Sequence, residues 1–340
     1  MQRQSPWVSL AKLLSPRQEH GTVAMGHSSI FIIGGITPTY GNDTSNQIGY
    51  STTDLVEMYD IASNTWTARA SAPFKVNHPN VATVGRKIYL LGGLVEANDP
   101  PSSNVNWTAT RESYVYDADT DTWKALVPMP NGTGRGSAIM GVQGEMIYLA
   151  GGMTFLDYAN QNSVSSVLAF NTTSESWQTL PDAASILPEG RQHGVGAVVG
   201  STFYVLGGRY MQRAYVRGTV FMLDLRCLEE GWKTCHNRMP VPRGGLCGGA
   251  VGPRFYTFGG EANPNATNGI FRETEMFDMA TETWADGAPM AVPRHGLSAV
   301  AVGNRVYLPG GDLQEDGIPV LINGTEHFMQ TSDHFDAYVV

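Results

Sequence analysis

A pair of adjacent glycines that directly follows a short run of apolar and aromatic residues recurs six times along this 340-residue chain. Neighbouring pairs stand roughly 50 to 60 residues apart, a period typical of one four-stranded β-sheet per repeat. With only 16% charged residues, the chain offers little material for long amphipathic helices or coiled coils. The repeat therefore predicts an all-β chain of six small antiparallel sheets. The pairs are Gly34-Gly35, Gly92-Gly93, Gly151-Gly152, Gly207-Gly208, Gly259-Gly260 and Gly310-Gly311.

Tryptophans recur in step with the glycines. Each unit has an apolar residue followed by Asp or Asn, and a Trp comes six residues after that Asp or Asn in four units and eight residues after it at Trp232. The last unit ends after Asp336 without a Trp, whereas Trp7 precedes the first unit. We therefore expect a strand around Trp7 to complete the last sheet and close a ring, which removes exposed strand edges. The four regularly spaced residues are Trp66, Trp123, Trp177 and Trp284.

The double glycine, the aromatic after it and the Trp beyond resemble the repeats of the Kelch family over essentially the whole chain. This resemblance implies a single six-bladed β-propeller spanning residues 1–340, with four antiparallel strands per blade. The expected blades are approximately 18–73, 74–130, 131–183, 190–240, 244–290, and 294–340 completed by 5–13. A propeller fold hosts many activities, so function has to be argued from the site.

Charge and composition exclude several classes of partner. The formal net charge of -9 disfavours binding to nucleic acid or to anionic membrane surfaces. No apolar run is long enough for a membrane span, and the first residues show no secretory leader. We expect a water-soluble chain.

Six Asn-X-Thr sequons suggest a glycoprotein of the secretory pathway or the extracellular space whose signal peptide has been removed, although sequons also arise by chance. Cys227 and Cys235 flank a short segment and are expected to form a disulfide across a hairpin, whereas Cys247 is expected to be a buried, unreactive thiol. The sequons are at Asn42, Asn106, Asn131, Asn171, Asn265 and Asn323.

Histidines and arginines precede the double glycines at nearly equivalent places. His20, His78, His193 and His295 each stand 14 or 15 residues before a pair. Arginines stand upstream of or beside the same positions, namely Arg17, Arg135, Arg191, Arg243 and Arg294. In a propeller this places a crown of imidazoles and guanidiniums at the mouth of the central channel. No metal site is expected, because one His per blade would spread the ligands around a ring.

Two interpretations of this crown stay open. The side chains could bond to carbonyls of neighbouring blades and hold the ring together, or they could form the donor-rich floor of a pocket. In the second interpretation the catalytic candidates are Arg294, His295, His20, His193 and Arg191, and the candidates for substrate binding are Arg17, His78, Arg135 and Arg243.

The loops after the double glycines carry aromatic residues and are expected to form the pocket wall around a small apolar organic substrate. The candidates for substrate binding in these loops are Tyr50, Trp107, Phe155, Tyr158, Tyr210 and Phe271.

The chain lacks a G-x-S-x-G elbow, a dinucleotide fingerprint, a Walker loop and an H-E-x-x-H motif, so no cofactor is expected. Its overall layout resembles the fungal hetero-Diels-Alderases of tropolone sesquiterpenoid biosynthesis. That resemblance implies a cyclase joining a tropolone ortho-quinone methide to a sesquiterpene alkene. The alternatives are a non-catalytic glycan- or protein-binding propeller and a sugar mutarotase using Arg191 with Glu189. A homodimer is possible on symmetry grounds.

Overall fold

The computed structural model describes residues 5–40, 47–97, 107–157, 160–322 and 324–340. Six four-stranded antiparallel cores make up the fold, as the glycine repeat predicts. The innermost strands contact one another in a closed circle. In chain order these six strands are β2 (Gly21–Met25), β8 (Val81–Val84), β12 (Ile139–Gln143), β17 (Val195–Val199), β21 (Cys247–Val251) and β25 (Val300–Val302).

The outer strands complete each blade in meander order. Blade 1 adds β3 (Ser29–Ile33), β6 (Val56–Asp60) and β7 (Thr65–Arg69), and blade 2 adds β9 (Lys87–Glu96), β10 (Trp107–Asp117) and β11 (Thr122–Ala125). Blade 3 adds β13 (Met146–Ala150), β15 (Val167–Asn171) and β16 (Ser176–Gln178), and blade 4 adds β18 (Thr202–Leu206), β19 (Val220–Asp224) and β20 (Lys233–Thr234). Blade 5 adds β22 (Arg254–Phe258), β23 (Thr274–Asp278) and β24 (Thr283–Asp286), and blade 6 adds β26 (Arg305–Pro309) and β29 (Phe335–Val339).

The sixth blade obtains its outer strand from the other end of the chain. Strand β1 (Trp7–Ser9) pairs antiparallel with β29, with Trp7 opposite Tyr338. The Trp7 ring contacts Tyr338 and Phe258 edge-on, and its indole N–H donates to the Ala288 carbonyl of blade 5. The predicted closure by the N-terminal strand is confirmed.

The remaining elements extend from the blades. Two β-ribbons rise from the loops after the double glycines of blades 1 and 6, and a short strand from blade 3 pairs with β10. A single helical turn precedes blade 4, and a 3₁₀ turn lies inside it. These elements are β4 (Ile36–Tyr40) with β5 (Gln47–Thr52), β14 (Phe155–Leu156), β27 (Val320–Ile322) with β28 (Thr325–His327), α1 (Asp182–Ser185) and Leu228–Glu230. Within the described part of the chain, no helix has the length and apolar character to cross a membrane.

The double glycines are required where blades meet. Both members of each pair have positive φ, and a Cβ at Gly151 would lie 2.1 Å from the Arg191 carbonyl oxygen of the next blade. That carbonyl accepts a hydrogen bond from the Gly152 N–H at 2.7 Å. Any side chain at Gly151 would therefore separate the blades.

The five arginines before the double glycines hold their own blades together. Arg17, Arg135, Arg191, Arg243 and Arg294 are all at most 2% exposed. Each guanidinium donates to carbonyls of its own blade, for example Arg135 to Gly151 and Ser166. Three of them also pair with buried carboxylates: Arg17 with Glu57, Arg243 with Glu275, and Arg294 with Asp336. Their guanidiniums are bonded within their own blades and line neither of the two channel cavities described in the next section, so their predicted place in a crown at the channel mouth is wrong.

The predicted disulfide is absent, because no hairpin joins its two cysteines. Cys235 bonds through its N–H to Val220 at the start of β19, whereas Cys227 follows the end of that strand and bonds to Asp224. The cysteines thus lie at opposite ends of β19, and all three cysteines of the chain are free thiols. The Cys235 thiol donates to Glu282 instead, and Cys247 is buried, as expected.

Asn131 and Asn265 are exposed and Asn171 is half-buried, so glycosylation there stays a prediction. Asn42, Asn106, Asn323 and Tyr158 lie outside the described residues.

Candidate functional site

A closed circle of hydrogen bonds surrounds the mouth of the central channel. Just before its innermost strand, each blade places one residue in the left-handed region, with φ between 48° and 65°. The backbone N–H of each such residue donates to the corresponding residue of the preceding blade, with the Ser137 hydroxyl accepting one of the six bonds and carbonyls accepting the others. We call these six residues the mouth ring: Glu19, His78, Ser137, His193, Gly245 and Gly296.

The mouth ring shows how the histidines are related. His78 and His193 occupy equivalent positions in their blades. In blade 1 that position is Glu19, and His20 comes one residue later. In blade 6 it is Gly296, and His295 comes one residue earlier. Non-glycine residues rarely adopt positive φ, and when they do they concentrate at functional sites. The ring places the Glu19 carboxyl and the His78 and His193 imidazoles in the lining of the channel.

Glu19, His78 and His193 converge on one point. The two Nε2 atoms lie 3.0 Å apart, and Glu19 Oε2 lies 3.1 Å from Nε2 of His78. Glu19 Oε1 is 3.8 Å from Nε2 of His193. The expectation that one imidazole per blade keeps the rings apart is thus wrong for this pair, because the channel is narrow at its mouth.

Burial controls the protonation of this cluster. Desolvation lowers the pKa of His78 to about 3 and holds the pKa of His193 well below its usual value, and the charge of Arg209 acts in the same direction on both. Desolvation also raises the pKa of Glu19 to about 8, against the opposing charge of His295. Both imidazoles are therefore neutral near pH 7.

A second polar cluster lies beside the mouth ring around His295, which is fully buried. Its Nε2 bonds to the Gln314 carbonyl at 2.8 Å, and its nitrogens lie 3.7 Å from Glu261 and 3.8 Å from Asp316. Although burial opposes the charged form, these carboxylates raise the pKa of His295 to about 9. His295 is thus an imidazolium that neutralises neighbouring carboxylates, and it does not line either cavity.

A pocket of 540 Å³ opens above the mouth ring, within the range of small-molecule sites. Its floor contains Glu19, His78 and His193, which also border a 230 Å³ cavity in the channel below. Its wall is largely apolar and aromatic, with Tyr50, Trp107, Leu156, Phe328 and Met329. The polar wall and floor groups include Gln161, Arg209, Arg213, Glu261, Asp316 and His327.

The pocket wall brings together some of the predicted residues and leaves out others. Tyr50 and Trp107 face the pocket as predicted, and Phe155, Tyr210 and Phe271 are not among the residues that line it. Phe155 and Tyr210 are exposed, while Phe271 is buried. His20 borders only the lower cavity, where its Nε2 bonds to the Pro309 carbonyl and burial lowers its pKa to about 3.

His327 is a wall residue that the sequence gave no reason to select. It ends β28, is 6% exposed, and its ring meets Tyr50 edge-on with centroids 6.4 Å apart. Its Nε2 is buried and has no hydrogen-bond partner among the described residues. Because buried polar atoms normally have a hydrogen-bond partner, this nitrogen is a candidate for contact with a ligand.

The ring of six blades, with a recessed pocket at its hub, defines the class of a six-bladed β-propeller. The chain belongs to the Kelch-repeat family: residues 7–208 and 78–311 match the KLHDC2/KLHL20/DRC7 Kelch-repeats domain. It is similar to the Kelch-like protein terF of Aspergillus terreus, with 38% identity over 91% of this chain and 64% of terF. It is 26% identical to Kelch domain-containing protein 3 of Bos taurus over 72% of this chain and 66% of that protein. Beta-scruin of Limulus polyphemus is 24% identical over 87% of this chain and 30% of its own length. The chain thus spans less than two thirds of terF.

Proposed function

We propose that this chain is a cyclase of natural-product biosynthesis that catalyses a hetero-Diels-Alder addition between a tropolone ortho-quinone methide and a sesquiterpene alkene. The observation that carries the proposal is the 540 Å³ pocket, whose apolar and aromatic wall stands over a few convergent polar groups. A cycloaddition chiefly requires two reactants held in near-attack geometry, and a rigid pocket supplies that geometry.

The wall suits an apolar reactant. Trp107 is 8% exposed, and its indole N–H is already satisfied by the Thr52 hydroxyl at 3.0 Å, so its ring face remains for packing. Leu156, Phe328 and Met329 add aliphatic, aromatic and thioether surface to the same wall. Burying an alkene against these groups is favourable in proportion to the apolar area removed from water.

The polar groups suit the oxygen-bearing reactant. His327 lines the pocket, and its Nε2 has no hydrogen-bond partner among the described residues, so we propose that this nitrogen donates a proton to the departing hydroxyl. Arg213 also lines the pocket; its side chain is 27% exposed, and its guanidinium lies 3.9 Å from Glu315. A guanidinium in this position stabilises negative charge on a tropolone oxygen.

The proposed reaction balances without an oxidant or reductant. Protonation by His327 lets the hydroxymethyl C–O bond break and releases water, and the neighbouring ring hydroxyl gives up its proton, which restores His327. The resulting ortho-quinone methide then adds to the alkene, forming one C–C and one C–O bond.

The test is incubation of the protein with a hydroxymethyl tropolone and a humulene-type alkene, with the adduct analysed by chiral chromatography and mass spectrometry. We expect a single stereoisomer, formed faster than in buffer. Trp107→Ala should lower the rate and stereoselectivity, whereas Phe155→Ala, an aromatic truncation outside the pocket lining, should not. A racemic adduct formed at the rate in buffer would overturn the proposal and favour a non-catalytic binding propeller.

The mutarotase alternative loses its support, since Arg191 and Glu189 form a 3.0 Å ion pair that lines neither cavity in the described residues. Secretion and homodimer formation stay predictions of the sequence.

A further inference from the structure

We propose that Glu19, His78 and His193 of the mouth ring form a binding site for one divalent transition-metal ion, with zinc as the best match to two nitrogens and one oxygen. This inference goes beyond the proposed function and does not depend on it.

The spacing of the three side chains fits a shared ion. Ligand atoms about 2.0 to 2.2 Å from one metal, at tetrahedral or octahedral angles, stand roughly 3.0 to 3.5 Å from one another. The Nε2 atoms of His78 and His193 are 3.0 Å apart, and Glu19 Oε2 is 3.1 Å from the first of them. The longest of the three separations, 3.8 Å from Glu19 Oε1 to His193, shortens with a small rotation of the carboxylate.

Hydrogen bonds orient His193 as a ligand. The Gln192 amide nitrogen donates to the Met211 carbonyl at 2.8 Å. Because a carbonyl can only accept, the amide oxygen of Gln192 points away from Met211. That oxygen lies against Nδ1 of His193 and accepts its proton. The lone pair of His193 is therefore on Nε2, directed at His78.

His78 is oriented by an equivalent arrangement. Its Nδ1 lies 2.7 Å from Oδ1 of Asn77, whose amide nitrogen donates to the Thr52 hydroxyl at 2.9 Å. Nε2 of His78 consequently carries a lone pair as well. Two lone pairs and the Glu19 carboxyl group, whose proton a metal ion would displace, then face one another, and ligating histidines typically donate their second N–H in this way.

Both signs of charge surround the three side chains. Glu261 and Asp316 line the same pocket and attract a cation, whereas Arg209, 2.6 Å from Glu261, and the imidazolium of His295 oppose one. Because all three ligands border the 540 Å³ pocket, the open coordination positions would face that pocket and accept oxygen donors of a ligand.

The experiment uses the full chain stripped with a chelator and titrated with Co²⁺, followed by its visible ligand-field absorption, and then with Zn²⁺ in competition. We expect one ion per chain. His193→Ala and Glu19→Gln should abolish the Co²⁺ absorption or weaken it severely, and Gln192→Ala, which acts through His193, should weaken binding about 10- to 100-fold. His27→Ala, at an exposed turn histidine, is the matched control and should bind like wild type.

Thermal unfolding of each variant shows whether it is folded, and the wild-type titration tests the proposal even if a variant fails to fold. The proposal is overturned if the stripped wild type binds neither Co²⁺ nor Zn²⁺. In that case the three side chains are held together by a shared proton and not by a metal ion. It is also overturned if the folded His193→Ala and Glu19→Gln variants bind as tightly as the His27→Ala control. Neither result depends on turnover, so it does not bear on the cyclase proposal.

Discussion

The backbone N–H of Glu19 donates to the carbonyl of Gly296 at 2.5 Å, and this bond joins the first blade to the last at the channel mouth. At the outer rim the same two blades are joined through Trp7, which lies opposite Tyr338. Ring closure therefore has an inner and an outer part, and the inner part also positions a pocket side chain.

The outer closure is tested by Trp7→Ala. The substitution removes the bond to Ala288 and the ring contacts with Phe258 and Tyr338, so we expect a loss of about 3 kcal/mol in the free energy of unfolding. Tyr215→Ala, at an exposed aromatic, should change it by less than about 0.5 kcal/mol. Equal, small effects of both in denaturant unfolding would show that closure does not depend on Trp7.

Arg294→Ala tests the structural role of the buried arginines. It leaves Asp336 buried without its 2.6 Å partner, which costs about 3 to 5 kcal/mol. Arg254→Ala, at an exposed pair with Asp278, should cost less than about 1 kcal/mol. A stable but inactive Arg294→Ala protein would return this residue to a catalytic role.

Asp336 also predicts how stability responds to acid. Burial alone would raise the pKa of Asp336, but the hydrogen bond from His334 and the charge and hydrogen bond of Arg294 outweigh it and lower that pKa. A carboxyl whose pKa is lower in the folded state stabilises the fold above its unfolded pKa, and this contribution is lost as pH falls below about 4. Unfolding measured from pH 7 to 3 should therefore be less pH-dependent in Asp336→Asn than in wild type, and parallel curves would contradict the assignment.

The free thiols predict a labelling pattern. Burial, with a contribution from Glu282, raises the pKa of Cys235 to about 11, and burial raises that of Cys247 further, whereas Cys227 is exposed. A maleimide should label Cys227 in the native protein, and Cys235 and Cys247 only after unfolding. Mass spectrometry of tryptic peptides reads this out. A Cys227–Cys235 peptide linked by a disulfide would contradict it.

The fold could be predicted from the sequence because its signals are local and repeated. The double glycines mark close backbone approaches, and register pairs such as Tyr59 with Trp66 follow from a fixed spacing. The arginines illustrate the limit, because the buried carboxylates that they meet, such as Glu57 and Asp336, lie on other strands of the blade, and their spacing in the sequence does not show that they pair.

The site was harder to predict because one turn of blade 1 contains an extra residue. The turn between β2 and β3 has three residues, Gly26, His27 and Ser28, where the corresponding turn of blade 2 has only Gly85 and Arg86. Counting back from the glycines consequently aligns His20 with His78, whereas the structure places Glu19 there. His327 was missed because it lies in the ribbon of the blade 6 loop, outside the repeated sequence pattern.

The most direct test of the proposed function is the rate and enantiomeric excess of adduct formation by wild type, His327→Gln and Phe155→Ala. The account predicts a single enantiomer from wild type and from Phe155→Ala, and a rate at least about 100-fold lower for a folded His327→Gln protein. Equal rates for all three, or a racemic product from wild type, would contradict it.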